Sequence, residues 1–124
     1  MSLKVFIVAA KLLLVFANPS VAEVLTWDCK FDYRIDVDGK AAEKMNLIFK
    51  IDTVSKRALM EGNAGLVDVE IHIGDEAFSF TEKVISGTVQ TTTITRDGLA
   101  VHSRNTVILG EFVASQIFGR CYVD

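Results

Sequence analysis

The side chains that most often carry acid–base, nucleophilic or metal chemistry are scarce in this chain of 124 residues, which has two histidines and two cysteines. His72 lies on the polar face of an alternating segment and His102 alternates against apolar neighbours, so we expect both rings to be exposed. Ser103 follows His102, but adjacent strand residues point to opposite faces and do not form a nucleophile–base pair. No Cys-x-x-Cys or paired-histidine spacing occurs. We therefore expect no catalytic residue, no metal site, no cofactor and no enzymatic activity.

Polar residues in the last third of the chain are the candidates for binding. Leu99 and Val101 are predicted to face the core. Because alternate residues of a strand share a face, Ser103 and Asn105 are expected to point inward as well. Inward polar groups need hydrogen-bond partners in the fold or in a ligand. One hypothesis is that these residues and Gln116 satisfy backbone groups where the sheet closes. The other is that they form the polar end of a small pocket or a contact surface.

The carboxylates give no sign of an acid–base pair. A catalytic carboxylate usually appears as a charge on an apolar face. Each acid that can be placed falls in a predicted turn or on an outward strand face, as Asp36 does with its neighbour Arg34.

The elements that position these residues are predicted to be β-strands. In the clearest one, apolar residues take every second position: Leu25, Trp27, Cys29, Phe31, Tyr33, Ile35 and Val37. This period of two places one face in a core and the other in water. Asp38-Gly39 marks a hairpin turn, after which Met45, Leu47, Phe49 and Ile51 alternate in the same way.

The rest of the chain continues this pattern. Further strands are predicted around residues 57–61, 67–73, 78–80, 88–95, 99–109 and 117–122, with turns between them. Residues 111–118 also fit one or two helical turns. About eight short strands without a sustained helical period predict an all-β fold, a single antiparallel domain built as a small barrel or a closed sandwich.

The first 22 residues differ from the remainder. They hold sixteen apolar residues, two lysines and no acid, and they end in small residues. This order is typical of a secretory signal peptide, with cleavage after Ala22 and a mature domain of residues 23–124. A transmembrane anchor is the alternative, but Lys11 divides the apolar run and Pro19 closes it. We expect a periplasmic or secreted protein without membrane contact after cleavage.

The charge of the mature domain points to a class of partner. Residues 23–124 contain 16 acidic and 11 basic residues, a net charge of -5. This balance argues against nucleic-acid binding, which needs a basic surface. It favours a basic envelope or host protein, drawn in by electrostatic attraction.

The two cysteines lie near opposite ends of the mature domain. Cys29 lies in the first predicted strand and Cys121 in the last. In an oxidising compartment such a pair predicts one disulfide, with two buried free thiols as the alternative. The bridge would tie the first strand to the last, as closure of a barrel or sandwich requires.

The end of the chain resembles small exported bacterial proteins of uncharacterised function. The residues that carry the resemblance are Ser115-Gln116-Ile117-Phe118-Gly119-Arg120-Cys121, which fit a C-terminal Ser-Gln-x-x-Gly-x-Cys, together with the early cysteine and the leader. The resemblance implies an exported β domain and no catalytic residue. In architecture alone, the chain is also similar to periplasmic inhibitors of c-type lysozyme, which are small eight-stranded barrels with cysteines near both ends.

Three functions follow as hypotheses. The first is a non-enzymatic protein-binding module that uses loops such as residues 62–65 or an exposed sheet face. The second is a small lipocalin-like carrier of an apolar ligand, in which aromatic residues line the barrel mouth: Trp27, Phe49, Phe78 and Phe80. The third, a hydrolase of envelope material, lacks a catalytic set. Candidate binding residues are Ser103, Asn105, Gln116 and Trp27.

Overall fold

A computed structural model describes residues 23–124, which form one closed barrel of eight antiparallel strands. The predicted signal peptide lies outside the described residues. The strands are β1 (Val24–Asp36), β2 (Gly39–Asp52), β3 (Ala58–Gly62), β4 (Gly65–Ile73), β5 (Ala77–Lys83), β6 (Val89–Thr95), β7 (Leu99–Ile108) and β8 (Glu111–Val123).

The order of the strands around the barrel is the order along the chain. Each strand pairs with the next, and β1 pairs with β8 to close the sheet. The all-β prediction is confirmed in its barrel form. The helical alternative for residues 111–118 is wrong, because these residues belong to β8. Within residues 23–124 no helix has the length and apolar character needed to cross a membrane.

This topology gives the barrel two distinct ends. The hairpins β1–β2, β3–β4, β5–β6 and β7–β8 all turn at one end, which we call the apical end. The other three turns and both ends of the described chain lie at the basal end. Side chains that belong to different hairpins therefore share one surface.

Aromatic and aliphatic side chains fill the interior toward the basal end. The inward row predicted for β2 is confirmed, and apolar residues of β4 and β5 also form or pack against the buried core: Val67, Val69, Ile71, Phe78 and Phe80. Ile73, which continues the alternation of β4 at the basal end, is instead 71% exposed. Phe49 and Phe80 are stacked with ring centroids 4.1 Å apart. Burial of each such ring contributes roughly 1.5–3 kcal/mol to stability.

The predicted disulfide is present where the barrel closes. Cys29 and Cys121 are directly opposite each other in the β1–β8 ladder, 92 residues apart in sequence. Both are buried. The bridge thus reinforces backbone hydrogen bonds between the first strand and the last.

A β-bulge interrupts β1 on the apical side of this bridge. Phe31 pairs with Gly119 of β8, but Tyr33 pairs with the adjacent Phe118, so Asp32 is an extra residue. An extra residue exchanges the two faces of a strand. Beyond the bulge, Arg34 therefore shares the inner face with Ile117.

The bulge overturns part of the sequence prediction. The apolar alternation placed Tyr33 and Ile35 inside and put Arg34 and Asp36 in water. In the structure Arg34 and Asp36 face the interior, and Tyr33 and Ile35 lie on the outer face. The regular pattern continues through Asp32 without a break, so β1 alone carries no signal of the change.

Gly119 is the residue that permits this close approach of β1 and β8. A Cβ atom there would overlap the carbonyl oxygen of Lys30 and the Cα atom of Phe31. Backbone atoms on the neighbouring strand cannot move aside as a flexible side chain can. A glycine within a strand often marks such a contact.

Replacement of Gly119 is therefore expected to be costly. Gly119→Ala should lower the free energy of unfolding by more than about 3 kcal/mol, or prevent folding, because it forces β1 and β8 apart. Gly62→Ala is the matched control, since its Cβ would meet only the end of the Leu47 side chain, at 3.1 Å. It should cost less than about 1.5 kcal/mol. Equal urea midpoints for the two variants would show that the close approach is absent.

The disulfide provides a second test of barrel closure. The double variant Cys29→Ala/Cys121→Ala should lose about 2–4 kcal/mol of unfolding free energy while it keeps a β-type circular dichroism spectrum, since the β1–β8 hydrogen bonds remain. Reductant should shift the urea midpoint of the native protein and leave that of the double variant unchanged. A native midpoint that reductant does not shift would contradict the stabilising role of the bridge.

Candidate functional site

A ladder of charged side chains crosses the apical part of the barrel interior. Arg34 donates from Nε to Asp36 Oδ2 at 2.8 Å and from Nη1 to Glu43 Oε1 at 2.7 Å. Glu43 reaches across to β7, where Arg104 donates from Nη2 to its second oxygen at 3.3 Å. Arg104 also donates from Nε to the hydroxyl oxygen of Ser115 at 3.2 Å. The ladder thus links β1, β2, β7 and β8.

His102 lies next to this ladder and is buried, so the prediction of an exposed ring is wrong. Its Nε2 is 3.1 Å from Gln90 Oε1, and its Nδ1 is 2.6 Å from the Thr92 hydroxyl. An amide oxygen only accepts, so Nε2 carries the proton and Thr92 donates to Nδ1. His102 is a neutral ring with both nitrogens engaged. His72 is exposed, as predicted.

The charge state of His102 follows from its surroundings. Burial is the main cause that lowers the pKa of His102, to about 4, and the positive charge of Arg104 lowers it further. Glu43 acts in the opposite direction with a smaller effect. A ring that is neutral and hydrogen-bonded at both nitrogens is not a free base for catalysis.

The charged side chains of the ladder are all paired. Its four charged side chains are between one fifth and one third exposed and are paired with one another. No buried side-chain nitrogen or oxygen among residues 23–124 lacks a hydrogen-bond partner. In the same part of the chain, no three His, Cys, Asp or Glu side chains are placed to hold a metal ion. These groups close the apical end of the barrel with a satisfied polar network.

A concave surface lies outside the barrel, at the bulge. It is a groove of about 980 Å³ that crosses the outer faces of β2, β1, β8, β7 and β6. Its aromatic part is the pair Tyr33 and Phe118, stacked with centroids 5.1 Å apart. Leu99 and Val101 continue the apolar lining, and the cations around it are Lys30, Lys44 and Arg120. We call this feature the outer groove.

The outer face continues from the groove into a projecting hairpin. β6 pairs with β7 only as far as Arg104, and β1 pairs with β8 only as far as Ser115. Residues 105–114 therefore pair only with each other, from Asn105 with Ala114 to Ile108 with Glu111. We call residues 105–114 the arm. Its apolar side chains are exposed, with Phe112 at 81%.

The apical end also exposes large aliphatic side chains at its turns. Val37 in the β1–β2 turn is 94% exposed, and Ile85 between β5 and β6 and Leu109 at the tip of the arm are fully exposed. Leu109 has a φ of 52°. A bulky residue in this left-handed region is unusual, since asparagine and glycine are favoured there.

The predicted binding residues do not come together as expected. Ser103 and Asn105 lie on the outer face of β7, because the inner face is formed by the alternate residues Ala100 and His102. The inward orientation was wrong. Gln116 is on the same outer face and donates from Nε2 to Ser103 Oγ at 3.3 Å. Ser103 and Gln116 lie between the outer groove and the arm, and Asn105 is the first residue of the arm, so a role in surface contact stays a prediction.

Trp27 is placed elsewhere. It packs against the core with its ring centroid 5.1 Å from that of Phe78. It shares no surface with Ser103, Asn105 or Gln116. As a binding residue it remains a prediction.

Two glycines carry information on strand phase that the apolar alternation does not reveal, although Asp97-Gly98 is a hairpin turn signal in the sequence. Gly119 marks the close contact that sets the phase of β1. Gly98, with a φ of 89°, accepts a hydrogen bond from the Cys121 backbone at 2.7 Å and so fixes where β7 begins against β8. Since β7 has apolar residues in both phases, alternation alone does not choose between them.

Comparison of the chain with protein-family models, with curated proteins and with solved structures gives no match.

The neutral His102 makes stability depend on pH. Its folded pKa lies below the unfolded value of about 6.5, so the unfolded chain binds more protons as pH falls. The contribution of the neutral His102 to the unfolding free energy should therefore be fully present above pH 6.5. It should be lost as the pH falls from 6.5 to about 4, by on the order of 3 kcal/mol.

Two histidine variants test this dependence. His102→Gln should flatten the decline between pH 6.5 and 4 in urea unfolding curves. His72→Gln is the matched control, since this histidine is exposed, and it should keep the decline of the native protein. An unchanged pH profile in His102→Gln would show that His102 is not the group responsible.

Proposed function

We propose that this protein is an exported, non-enzymatic module that binds another protein through its apical end. The apolar, acid-free composition of residues 1–22 supports export. The Cys29–Cys121 bridge is compatible with an oxidising compartment, periplasmic or extracellular. The pairing of the interior charges with one another supports a role without catalysis.

The observation that carries the proposal is the exposure of three aliphatic side chains at one end of the barrel. Val37, Ile85 and Leu109 come from three separate hairpins. A barrel fold does not require aliphatic residues at its turns, where polar residues and glycine are favoured. Apolar groups collected on one exposed surface are typical of a protein contact.

The charge of the same end indicates the kind of partner. Apart from the interior Asp36–Arg34 pair, its four hairpin ends contain four acids, which are Asp38, Glu61, Glu82 and Glu111, and two lysines, Lys40 and Lys83. This balance favours a basic protein with an apolar recess. It opposes binding to an anionic membrane, where basic residues are needed. The architectural resemblance noted from the sequence makes a c-type lysozyme the first basic protein to test.

The carrier hypothesis is less well supported. The four aromatic residues that would line a ligand cavity contact each other instead: Trp27 with Phe78, Phe78 with Phe80, and Phe80 with Phe49. Phe49 and Phe80 are fully buried. Rings packed in this way fill the space that an apolar ligand would need.

The variant Leu109→Asn should weaken partner binding without lowering the stability of the fold. Asparagine suits the left-handed backbone at residue 109, so the unfolding free energy should stay equal or rise by up to about 1 kcal/mol. Binding of a basic protein should weaken at least about tenfold, since an exposed apolar contact is lost. The measurement is biosensor binding against a panel of basic proteins that includes a c-type lysozyme.

The control is a similar side chain at the opposite end. Val54→Asn changes an aliphatic residue of comparable character, 55% exposed, in the β2–β3 turn at the basal end. It should leave binding intact, and binding by the native protein should weaken as salt is raised. Failure of every basic protein to bind at low salt, or equal loss in the two variants, would overturn the proposal.

A further inference from the structure

On the outer face of β7 and β8, the side chains are arranged so that the face is complementary to the same face of a second copy of the chain. Ser103 and Gln116 are paired across the two strands, and their side chains are hydrogen-bonded. Four residues toward the arm lies the pair Val107–Phe112, and four residues toward the basal end lies the pair Leu99–Arg120. The two outer pairs are thus equally distant from the Ser103–Gln116 pair.

Two such faces can pack against each other about a two-fold axis. Sheets that stack face to face lie about 10 Å apart. We place the axis between the two sheets, perpendicular to the strands and level with Ser103 and Gln116. The β7 strands of the two copies then lie over each other and run in opposite directions, and so do the two β8 strands. Each residue then faces the position equally far on the other side of the axis in the second copy.

The resulting neighbours fit in shape and chemistry. Val107 faces Leu99, which is an apolar contact, and Phe112 faces Arg120, which is a cation–π contact. One step nearer the axis, Ala114 faces Phe118, so that a small side chain leaves room for a ring. These residues are exposed or half-buried in the single chain.

The groups near the axis are also suited to meet their own copies. Ser103 and Gln116 carry donors and acceptors that pair with an identical set. Ile35, 42% exposed, is the β1 partner of Gln116 and extends the apolar area to a third strand. An isologous contact requires such self-complementarity.

We infer that the outer face of β1, β8 and β7 is a homodimer interface, in which the arm of each copy covers the outer groove of the other. The face of β7 from Leu99 to Val107 is about 26 Å long at roughly 3.3 Å per residue. With three strands the interface is at the lower end of the stable range, so we expect a dimer in the micromolar range. The two apical ends then point in opposite directions.

The first test is sedimentation velocity of the oxidised protein, expressed as the full chain, across the micromolar range. Ala114→Arg should weaken dimerisation at least about tenfold, because its long side chain takes the space that Ala114 leaves for the Phe118 ring of the second copy. Val113→Arg is the matched control, since Val113 is the adjacent exposed residue on the other face of the arm. It should leave the dimer intact.

The second test locates the axis. Gln116→Cys should be linked to its own copy by a bifunctional thiol cross-linker that spans about 10 Å, because each Gln116 faces its own copy across that distance. Asn105→Cys should not, since the two copies of Asn105 are about 13 Å apart, four residues at 3.3 Å each. A monomer at every concentration, equal effects of the two arginine variants, or preferential cross-linking through residue 105 would each overturn the inference.

Discussion

The extra residue in β1, Asp32, is the constraint on which the apical half of this barrel depends. Before it, the strand buries Cys29 and Phe31; after it, the same alternation turns Arg34 toward the interior and Tyr33 toward the outer face. The change is possible because Gly119 lets the backbones of β1 and β8 approach closely. One backbone irregularity therefore decides which chemistry lies inside and which lies outside.

Beyond the bulge, the inner and outer faces of the barrel both carry different kinds of side chain. Inside, Arg34 brings a charge that must be paired, and Asp36 and Glu43 supply the partners. Glu43 also accepts from Arg104, so the apical end is closed by a polar ladder. Outside, Tyr33 stacks on Phe118 and gives the outer groove its aromatic part. The proposed partner surface and the proposed dimer interface both use apolar groups that the interior does not hold.

Most of the fold follows from the sequence, since period-two patterns survive wherever one face is buried. The rows of β2 and β5, the row of β4 as far as Ile71, the turn at Gly98 and the Cys29–Cys121 pair all follow from residue types and spacing. The sequence does not predict which face is buried in β1 beyond Asp32 or in β7. In both strands, apolar residues such as Ile35 and Leu99 lie on the outer face. Alternation predicts a buried face only where the exposed face is polar, and here a second apolar surface removes that contrast.

The most direct test of the central claim is the environment of the Tyr33 ring in solution. Nuclear Overhauser measurements on the oxidised protein should show contacts between the rings of Tyr33 and Phe118, and between the side-chain protons of Arg34 and those of Glu43. A strand without the bulge would turn Tyr33 inward. Contacts from the Tyr33 ring to the buried methyl groups of Ile117, with Arg34 in water, would contradict the account.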